Sequence, residues 1–310
     1  KADFEKAKKA ERVAGAFSDW EDEQLHQAAV GWALSTVFLR FIEDNALFGD
    51  GHAYISGHTP HLRQAARDRE EQFYATHPDQ NYRGYLQHCF KQLADVPATQ
   101  ALVDDYAAFR LMEPSDDAAR RLIDFWREVD QEGDLVWPLH DPTLSTRFLG
   151  DMYQDLSDFA RKKYALLQTP EFVEEFILSR TLTPALNDRP LEGFKLIDPT
   201  CGSGHFLLGA FHVLLDAWNA HTPGEDPRIL AENAMSTIHG VDINPFAVAI
   251  SRFRLTVAYM QAAKYDRLSR DLPEPGFTVL TGDSLLYGPA SSEDATLAIG
   301  GTESTVYTTK

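Results

Sequence analysis

A connection between an apolar strand and a helix is the first place where residue types suggest a bound ligand. The stretch "KLIDPTCGSGHFLLGAFHVLLDAW" ends the strand at Asp198 and passes Gly202 and Gly204 before the helix. Glycine lets the backbone turn sharply and lie against a ligand. The free N–H groups of the first helical turn would point into the same crevice. Asp198 stands where open α/β sheets bind ligands, and it could brace the amides of the loop or meet a cationic ligand group.

Two further strands in the sequence also end in aspartate. "IHGVDINP" places Asp242 at a strand end, and "LTGDSL" does the same for Asp283. Asp242 could accept hydrogen bonds from both hydroxyls of a ribose, with Ile243 against an adenine face, while Asp283 could accept an adenine amino hydrogen. For each aspartate alone, a helix cap or a turn is the ordinary alternative. Three such strands in succession favour a ligand site.

The familiar phosphate-binding loops are excluded by the same residues. "GSGHFL" is not G-x-G-x-x-G, because Leu207 holds the third glycine position, and no G-x-x-x-x-G-K-[ST] occurs. A glycine-bearing turn alone is also common as a purely structural feature. Cys89 and Cys201 are far apart and belong to no CxxC or Cys/His cluster. We therefore expect no metal site, no disulfide and a reduced, cytoplasmic chain.

The N-terminal half of the sequence is predicted to be all-helical up to about residue 145. Residues 21–45 carry apolar side chains at the i, i+3, i+4 and i+7 spacing of a buried amphipathic helix. Weaker helical patterns cover 62–75 and 82–94. Ser115 is a suitable N-cap for another helix.

The second part is predicted to be an α/β domain, and a Pro- and Gly-bearing stretch "WPLHDPTLSTRFLGD" separates it from the first. A helix is expected to begin at "TPEFVEEFI", with Thr169 as its N-cap and Pro170 as its first residue. From Phe194, three short strand patterns alternate with helical patterns over 204–219 and 245–265. This alternation predicts a doubly wound, Rossmann-like parallel sheet.

Charge limits what the chain can bind by itself. Lys and Arg total 29 against 47 Asp and Glu, which gives a net charge of −18. Such a surface repels phosphate. The ordinary interpretation is a solvated acidic surface that aids solubility, and the alternative is a segment that docks a protein partner while DNA or RNA is held elsewhere. Residues 1–145 show no basic helix and are not expected to read bases. No apolar run is long enough to span a membrane. Because the chain begins at Lys1 and ends on a polar stretch, we expect a segment of a longer protein.

Four motifs in order resemble those of S-adenosylmethionine-dependent N6-adenine DNA methyltransferases. "DPTCGSGHF" resembles the cofactor motif D-P-x-x-G-S-G-x-F of this family, and "GVDINP" and "TGDSL" resemble the two motifs after it. "QTPEFVEEFI" resembles the Thr-Pro helix start of one class of these enzymes. The segments "WALSTVFLRFIEDN" and "FLGDMYQDLSDFARKKYALLQTP" further resemble the PglX family of BREX phage-defence methyltransferases. The resemblance implies an α/β methyltransferase whose front half lies at 146–310, after a helical domain at 1–145.

The resemblance also implies roles for individual residues in binding S-adenosylmethionine. Asp242 would hold the ribose, Ile243 would pack on the adenine, and Asp283 would accept a hydrogen bond from the adenine amino group. Thr169 would contact the methionine end of the cofactor. The wall around the methionine part would consist of Asp198, Gly202 and Gly204. Cys201 shows no sign of being a nucleophile, and His205 is expected to be a first-turn helix residue.

One motif of the family is missing from this sequence. The catalytic tetrapeptide Asn/Asp/Ser-Pro-Pro-aromatic does not occur, and Asn244-Pro245-Phe246 lacks the second proline and is interpreted as a helix start. We therefore expect the 310 residues alone to be inactive, while the complete chain methylates adenine in double-stranded DNA, with possible defence-system protein partners. The alternatives are an S-adenosylmethionine-binding scaffold or sensor without catalysis, and a methyltransferase acting on RNA or protein.

Overall fold

The computed structural model describes residues 1–9, 15–49, 52–100, 102–103, 112–156, 169–284, 296–299 and 302–305. Among these residues, helices dominate the first part, and strands appear only in the second, apart from an isolated bridge between Val129 and Leu135. The described elements, in chain order, are α1 (Ala2–Lys9), α2 (Phe17–Asp44), α3 (Pro60–Thr76), α4 (Tyr82–Ala94), α5 (Pro97–Gln100), α6 (Asp116–Trp126), α7 (Phe148–Leu156), α8 (Glu171–Asp188), β1 (Leu196–Asp198), α9 (His205–His221), α10 (Pro227–Met235), β2 (Ile238–Asp242), α11 (Pro245–Ala262), β3 (Thr278–Thr281), β4 (Thr296–Ile299) and β5 (Thr302–Thr305).

Side-chain caps fix the starts of several helices. Ser115 accepts a hydrogen bond from the amide of Ala118 at 3.1 Å, so its predicted N-cap role is confirmed. Asp226 caps α10 in the same way and is followed by Pro227. Asp226 and Pro227 are standard helix-start signals, but α10 was not predicted from the sequence.

The start of α8 differs from the sequence prediction by one residue. Thr169 was expected to be the N-cap, and that expectation is wrong, because Pro170 is the N-cap and the helix begins at Glu171. Pro170 is extended (φ −60°, ψ 142°), and its carbonyl accepts from the amides of Val173 and Glu174. The proline therefore supplies the first helical acceptor.

The sheet that carries the candidate site is parallel, as predicted. Its strand order is β1–β2–β3, with Leu196 opposite Ile238 and His239 opposite Thr278. The carboxyl ends of all three strands therefore lie along one edge. The strands β4 and β5 pair antiparallel with each other and do not extend this sheet.

One hydrophobic core joins the helical first part to the sheet-bearing second part. Phe38 of α2 stacks on Phe253 of α11 with ring centroids 4.5 Å apart and planes 9° apart. Phe41 meets the same ring edge-on at 5.6 Å. Both parts contribute residues to a single buried cluster. Among the described helices, none is long and apolar enough to cross a membrane.

A buried ionic network fixes the C-terminal end of α2 to two loops. The Arg40 guanidinium donates to the carboxylates of Glu43 and Asp44, and all three side chains are fully buried. Glu43 also accepts from the amides of Tyr54 and Ile55, while Asp44 accepts from that of Leu139. Since the carboxylates are satisfied by backbone amides, the charges can remain in the interior.

Candidate functional site

Residues 199–204, here called the glycine loop, connect β1 to α9. Gly202 and Gly204 have φ values of +53° and +80°, a region that favours glycine. A Cβ on Gly202 would meet no atom within 4 Å, whereas a Cβ on Gly204 would lie 2.4 Å from Ser251 Oγ. The two glycines therefore serve different purposes. Gly204 allows close packing on α11, while Gly202 leaves open space at the end of the sheet.

Asp242, at the end of β2, holds the glycine loop directly. Its Oδ2 accepts from the amide of Gly202 at 2.8 Å, and its Oδ1 accepts from the amide of Asn244 at 2.8 Å. From the sequence, Asp242 was expected to contact a ligand, with a helix cap or a turn as the alternative. The bond from Asn244 is of the turn kind, and the bond from Gly202 was not predicted. A carboxylate offers about four lone-pair positions. Each oxygen of Asp242 thus keeps acceptor capacity, as two hydroxyl groups would require.

The other two strand-end aspartates lie at the same edge. Asp198 is half-buried, and its Oδ1 accepts from the amide of Thr200 at 3.1 Å. It therefore braces the loop, which was one of the two roles expected for it. Burial raises the pKa of Asp198, and the negative charge of Asp242 raises it further, although the hydrogen bond from the Thr200 amide lowers it. Asp283 is also half-buried, just after β3. The amide of Gly282 donates to the carbonyl of Asp242 at 2.8 Å, which draws the end of β3 to that of β2.

The two residues after β2 differ in role: Ile243 is exposed, and Asn244 caps the next helix. Ile243 is 58% exposed, so its apolar side chain is accessible at this edge. Asn244 is buried and its Oδ1 accepts from the amide of Phe246 at 3.0 Å. The segment Asn244-Pro245-Phe246 is therefore the start of α11, which confirms the interpretation from sequence.

Thr169 precedes the glycine loop by about 30 residues in the sequence. It is half-buried just before α8, which packs on α9 so closely that a Cβ on Gly209 would lie 2.1 Å from Glu174 Oε1. The packing thus connects the start of α8 to the glycine loop through α9.

Two polar side chains beneath the loop were not recognised from the sequence as parts of the site. Arg254 of α11 donates from Nη1 to the carbonyl of Ser203 at 2.8 Å. His205 is the first residue of α9, as expected, and its Nδ1 lies 3.3 Å from the same Nη1. Burial, Arg254 and Arg147 lower the pKa of His205 to about 4. No sequence signal marks Arg254, because it stands in an ordinary buried stretch of helix.

Cys201 is a packing residue of the loop. Its side chain is buried, and a Cβ on Gly240 would lie 3.1 Å from its sulfur. Burial raises the pKa of the Cys201 thiol well above its usual range, which disfavours the nucleophilic thiolate. In the described part of the chain, no cluster of three or more His, Cys, Asp or Glu side chains is arranged to hold a metal ion.

Sequence comparison shows that the chain is similar to parts of several adenine-specific methyltransferases. No protein-family model matches the chain. It is 47% identical over 271 residues to the adenine-specific methyltransferase PglX of Streptomyces coelicolor, a match that covers 85% of this chain and 22% of PglX. It is 28% identical over 158 residues (48% of the chain, 12% of the relative) to a putative type II restriction enzyme and methyltransferase of Methanocaldococcus jannaschii. It is also 32% identical over 96 residues (30% of the chain, 7% of the relative) to the adenine-specific methyltransferase BrxX of Escherichia coli.

The PglX match covers most of this chain, but every match covers only a small share of the relative. The chain spans 22% of PglX and smaller shares of the other two proteins. The three-stranded parallel sheet agrees with part of a methyltransferase fold. With 47% identity over most of its length, the chain is therefore similar to one segment of the adenine-specific methyltransferase PglX.

Proposed function

We propose that this chain supplies the S-adenosylmethionine-binding part of an enzyme that methylates the exocyclic amine of adenine in DNA. The observation that carries the proposal is the glycine loop beside Asp242, in a chain 47% identical to PglX. The residues fit the cofactor in two ways. Gly202 borders open space that a side chain would occupy, and both oxygens of Asp242 retain acceptor capacity.

The proposed contacts follow the chemistry of the cofactor from one end to the other. Asp242 accepts from the ribose hydroxyls, the exposed Ile243 covers an adenine face, and Asp283 accepts a hydrogen bond from the adenine amino group. The methionine part lies against the residues around the loop and the start of α8, namely Thr169, Asp198, Gly202 and Gly204. S-adenosylmethionine supplies an activated methyl group, and these residues orient it.

The target amine needs groups that this sequence does not provide. The lone pair of the adenine amine is drawn into the ring, and a base in a duplex must first be flipped out at a cost of a few kcal/mol. Acceptors for the amino hydrogens and an aromatic face would hold the flipped base in line with the methyl group. The family's tetrapeptide for that purpose is absent from the 310 residues. We assign those roles to the longer protein.

The acidic surface supports the same division of labour. With a net charge of −18, the chain disfavours contact with DNA phosphates, so double-stranded DNA is held by regions outside it. We propose that the helical part, residues 1–145, supports the methyltransferase part at 146–310 and does not read bases. The setting we propose is cytoplasmic phage defence or restriction–modification, with further defence proteins as partners.

Two experiments test the function at two levels. Isothermal titration of the 310-residue chain with S-adenosylmethionine tests the cofactor site, and saturable binding is expected. Tritiated methyl transfer to duplex DNA by the longer natural protein, followed by base analysis, tests the reaction. N6-methyladenine is the expected product. Binding without transfer would favour a scaffold or sensor, methylcytosine would refute the target, and transfer only to RNA or protein would refute the substrate.

A further inference from the structure

A buried arginine lies directly under the glycine loop. Arg254 is 3% exposed, and its Nη1 donates to the carbonyl of Ser203 at 2.8 Å. Its Nε has no hydrogen-bond partner among the described residues. Burial lowers the pKa of Arg254 to about 10, against the attraction of Glu174. The side chain therefore remains charged at neutral pH, although its burial opposes the charge.

The contact with His205 fixes the state of that imidazole. His205 Nδ1 lies 3.3 Å from Arg254 Nη1 and 3.3 Å from the hydroxyl of Ser203. A guanidinium can only donate, so Nδ1 must carry a lone pair and Nε2 the proton. His205 Nε2 is buried without a partner among the described residues. The imidazole is thus neutral, and its Nδ1 is a second acceptor for Arg254 beside the Ser203 carbonyl.

The peptide that Arg254 holds is one that could otherwise change orientation. Ser203 stands between Gly202 and Gly204, and glycine adopts positive and negative φ values almost equally well. A charge-assisted hydrogen bond is stronger than a neutral one, so it is well suited to hold a single orientation here. Asp242 holds the loop at Gly202, and Arg254 holds it one residue later, at the carbonyl of Ser203.

We propose that Arg254 is a positioning residue that preorganises the glycine loop for S-adenosylmethionine by fixing the Ser203 carbonyl, with His205 as its second acceptor. The proposal rests on the proposed function of the chain. Arg254 acts through the loop and does not itself touch the cofactor.

The test compares three variants of the 310-residue chain. Arg254→Met keeps the length of the side chain and removes its donors, and we expect S-adenosylmethionine to bind at least tenfold more weakly. Arg254→Lys retains one donating group for Ser203, so it should recover part of the affinity. The matched control is Arg252→Met on the same helix, because Arg252 Nε donates to the carbonyl of Val279 on β3 at 2.9 Å. That control should lose stability but keep its affinity within about twofold of the wild type.

A second readout separates positioning from general loss of stability. Nitrogen-15 NMR of the wild type should show His205 with a proton on Nε2 and none on Nδ1. In Arg254→Met the pKa of His205 should rise, because the charge of Arg254 helps to lower it. In Arg252→Met it should not change.

The outcomes distinguish this proposal from the proposed function. A wild type that binds no S-adenosylmethionine would refute both. A wild type that binds, with Arg254→Met binding equally well, would refute only the positioning role. If Arg254→Met does not fold, Arg254→Lys decides, and full wild-type affinity in that variant would count against the proposal. A proton on Nδ1 of His205 in the wild type would contradict the contact itself.

Discussion

Replacing Asp242 by alanine removes the carboxylate that the structure places between the glycine loop and the start of α11. In the free protein its two oxygens accept from the amides of Gly202 and Asn244, each at 2.8 Å. In the proposed complex the same oxygens also accept the ribose hydroxyls of S-adenosylmethionine. Asp242→Ala therefore loses contacts in both states, and the two losses have to be measured separately.

The expected loss of affinity comes from the contacts made only in the complex. A hydrogen bond to a charged group contributes about 1.5–3 kcal/mol. At 1.4 kcal/mol for each factor of ten, the loss of one such bond weakens binding roughly 10- to 150-fold. The two freed amides add about 1–3 kcal/mol each to the loss of folding free energy, toward the lower end because Asp242 is only half-buried.

A thermodynamic cycle assigns the lost affinity to the ribose. Titration calorimetry would compare S-adenosylhomocysteine with its 2′-deoxy analogue on the wild type and on Asp242→Ala. The analogue should bind the wild type about tenfold or more weakly than the parent compound, and the two should bind the variant nearly equally. Asp226→Ala is the control, since it also loses a carboxylate that accepts from a backbone amide, but at the start of α10. It should become less stable without a change in affinity.

A deoxy analogue that loses the same factor in affinity on both proteins would refute the ribose contact. Asp242 would then stabilise the loop and make no contact with the ribose. Equal affinity of the wild type and Asp242→Ala for S-adenosylhomocysteine would remove the ribose assignment altogether.

Three further predictions address the loop, the shared core and the buried histidine. Gly202→Ala should fold, at a cost of about 1–2 kcal/mol for its positive φ, yet bind S-adenosylmethionine poorly, because its methyl group enters open space. Gly204→Ala should lose more folding free energy because its methyl group would clash with α11, and urea unfolding with equal stability of the two variants would contradict this. Phe38→Ala should cost about 3–5 kcal/mol and still unfold in one transition seen by both helix and sheet signals, whereas two transitions would refute a common core. His205 has a folded pKa of about 4 against 6.5, so the unfolded chain binds more protons in that window and stability falls as the pH drops from 6.5 toward 4. His205→Gln should lose less free energy of unfolding over that range than the wild type, and parallel curves would rule out this contribution.

The sequence predicted the parts of the site that depend on local pattern. Strand ends at Asp198 and Asp242 follow from apolar runs that stop at an acid, and the parallel order follows from the intervening helices. The start of α8 was placed one residue early at Thr169, because Thr and Pro are both good residues for a helix start and the pattern cannot decide between them. The bonds from Asp242 to Gly202 and from Arg254 to Ser203 were missed, since they join residues 40 and 51 positions apart. Such tertiary contacts leave no periodic signal in a single sequence.

The helix α11 explains why the helical first part and the candidate site depend on each other. Its first turn is capped by Asn244, next to Asp242, and Arg254 in its middle holds the glycine loop. Phe253, one residue before Arg254, stacks on Phe38 of α2. Removal of residues 1–145 would remove the ring on which Phe253 stacks. Arg254 would be affected as well, because it lies in the same turn of α11. A deletion therefore cannot separate a role in reading DNA from a role in holding the cofactor loop. Substitutions of exposed side chains on the first part, which leave Phe38 in place, can separate them.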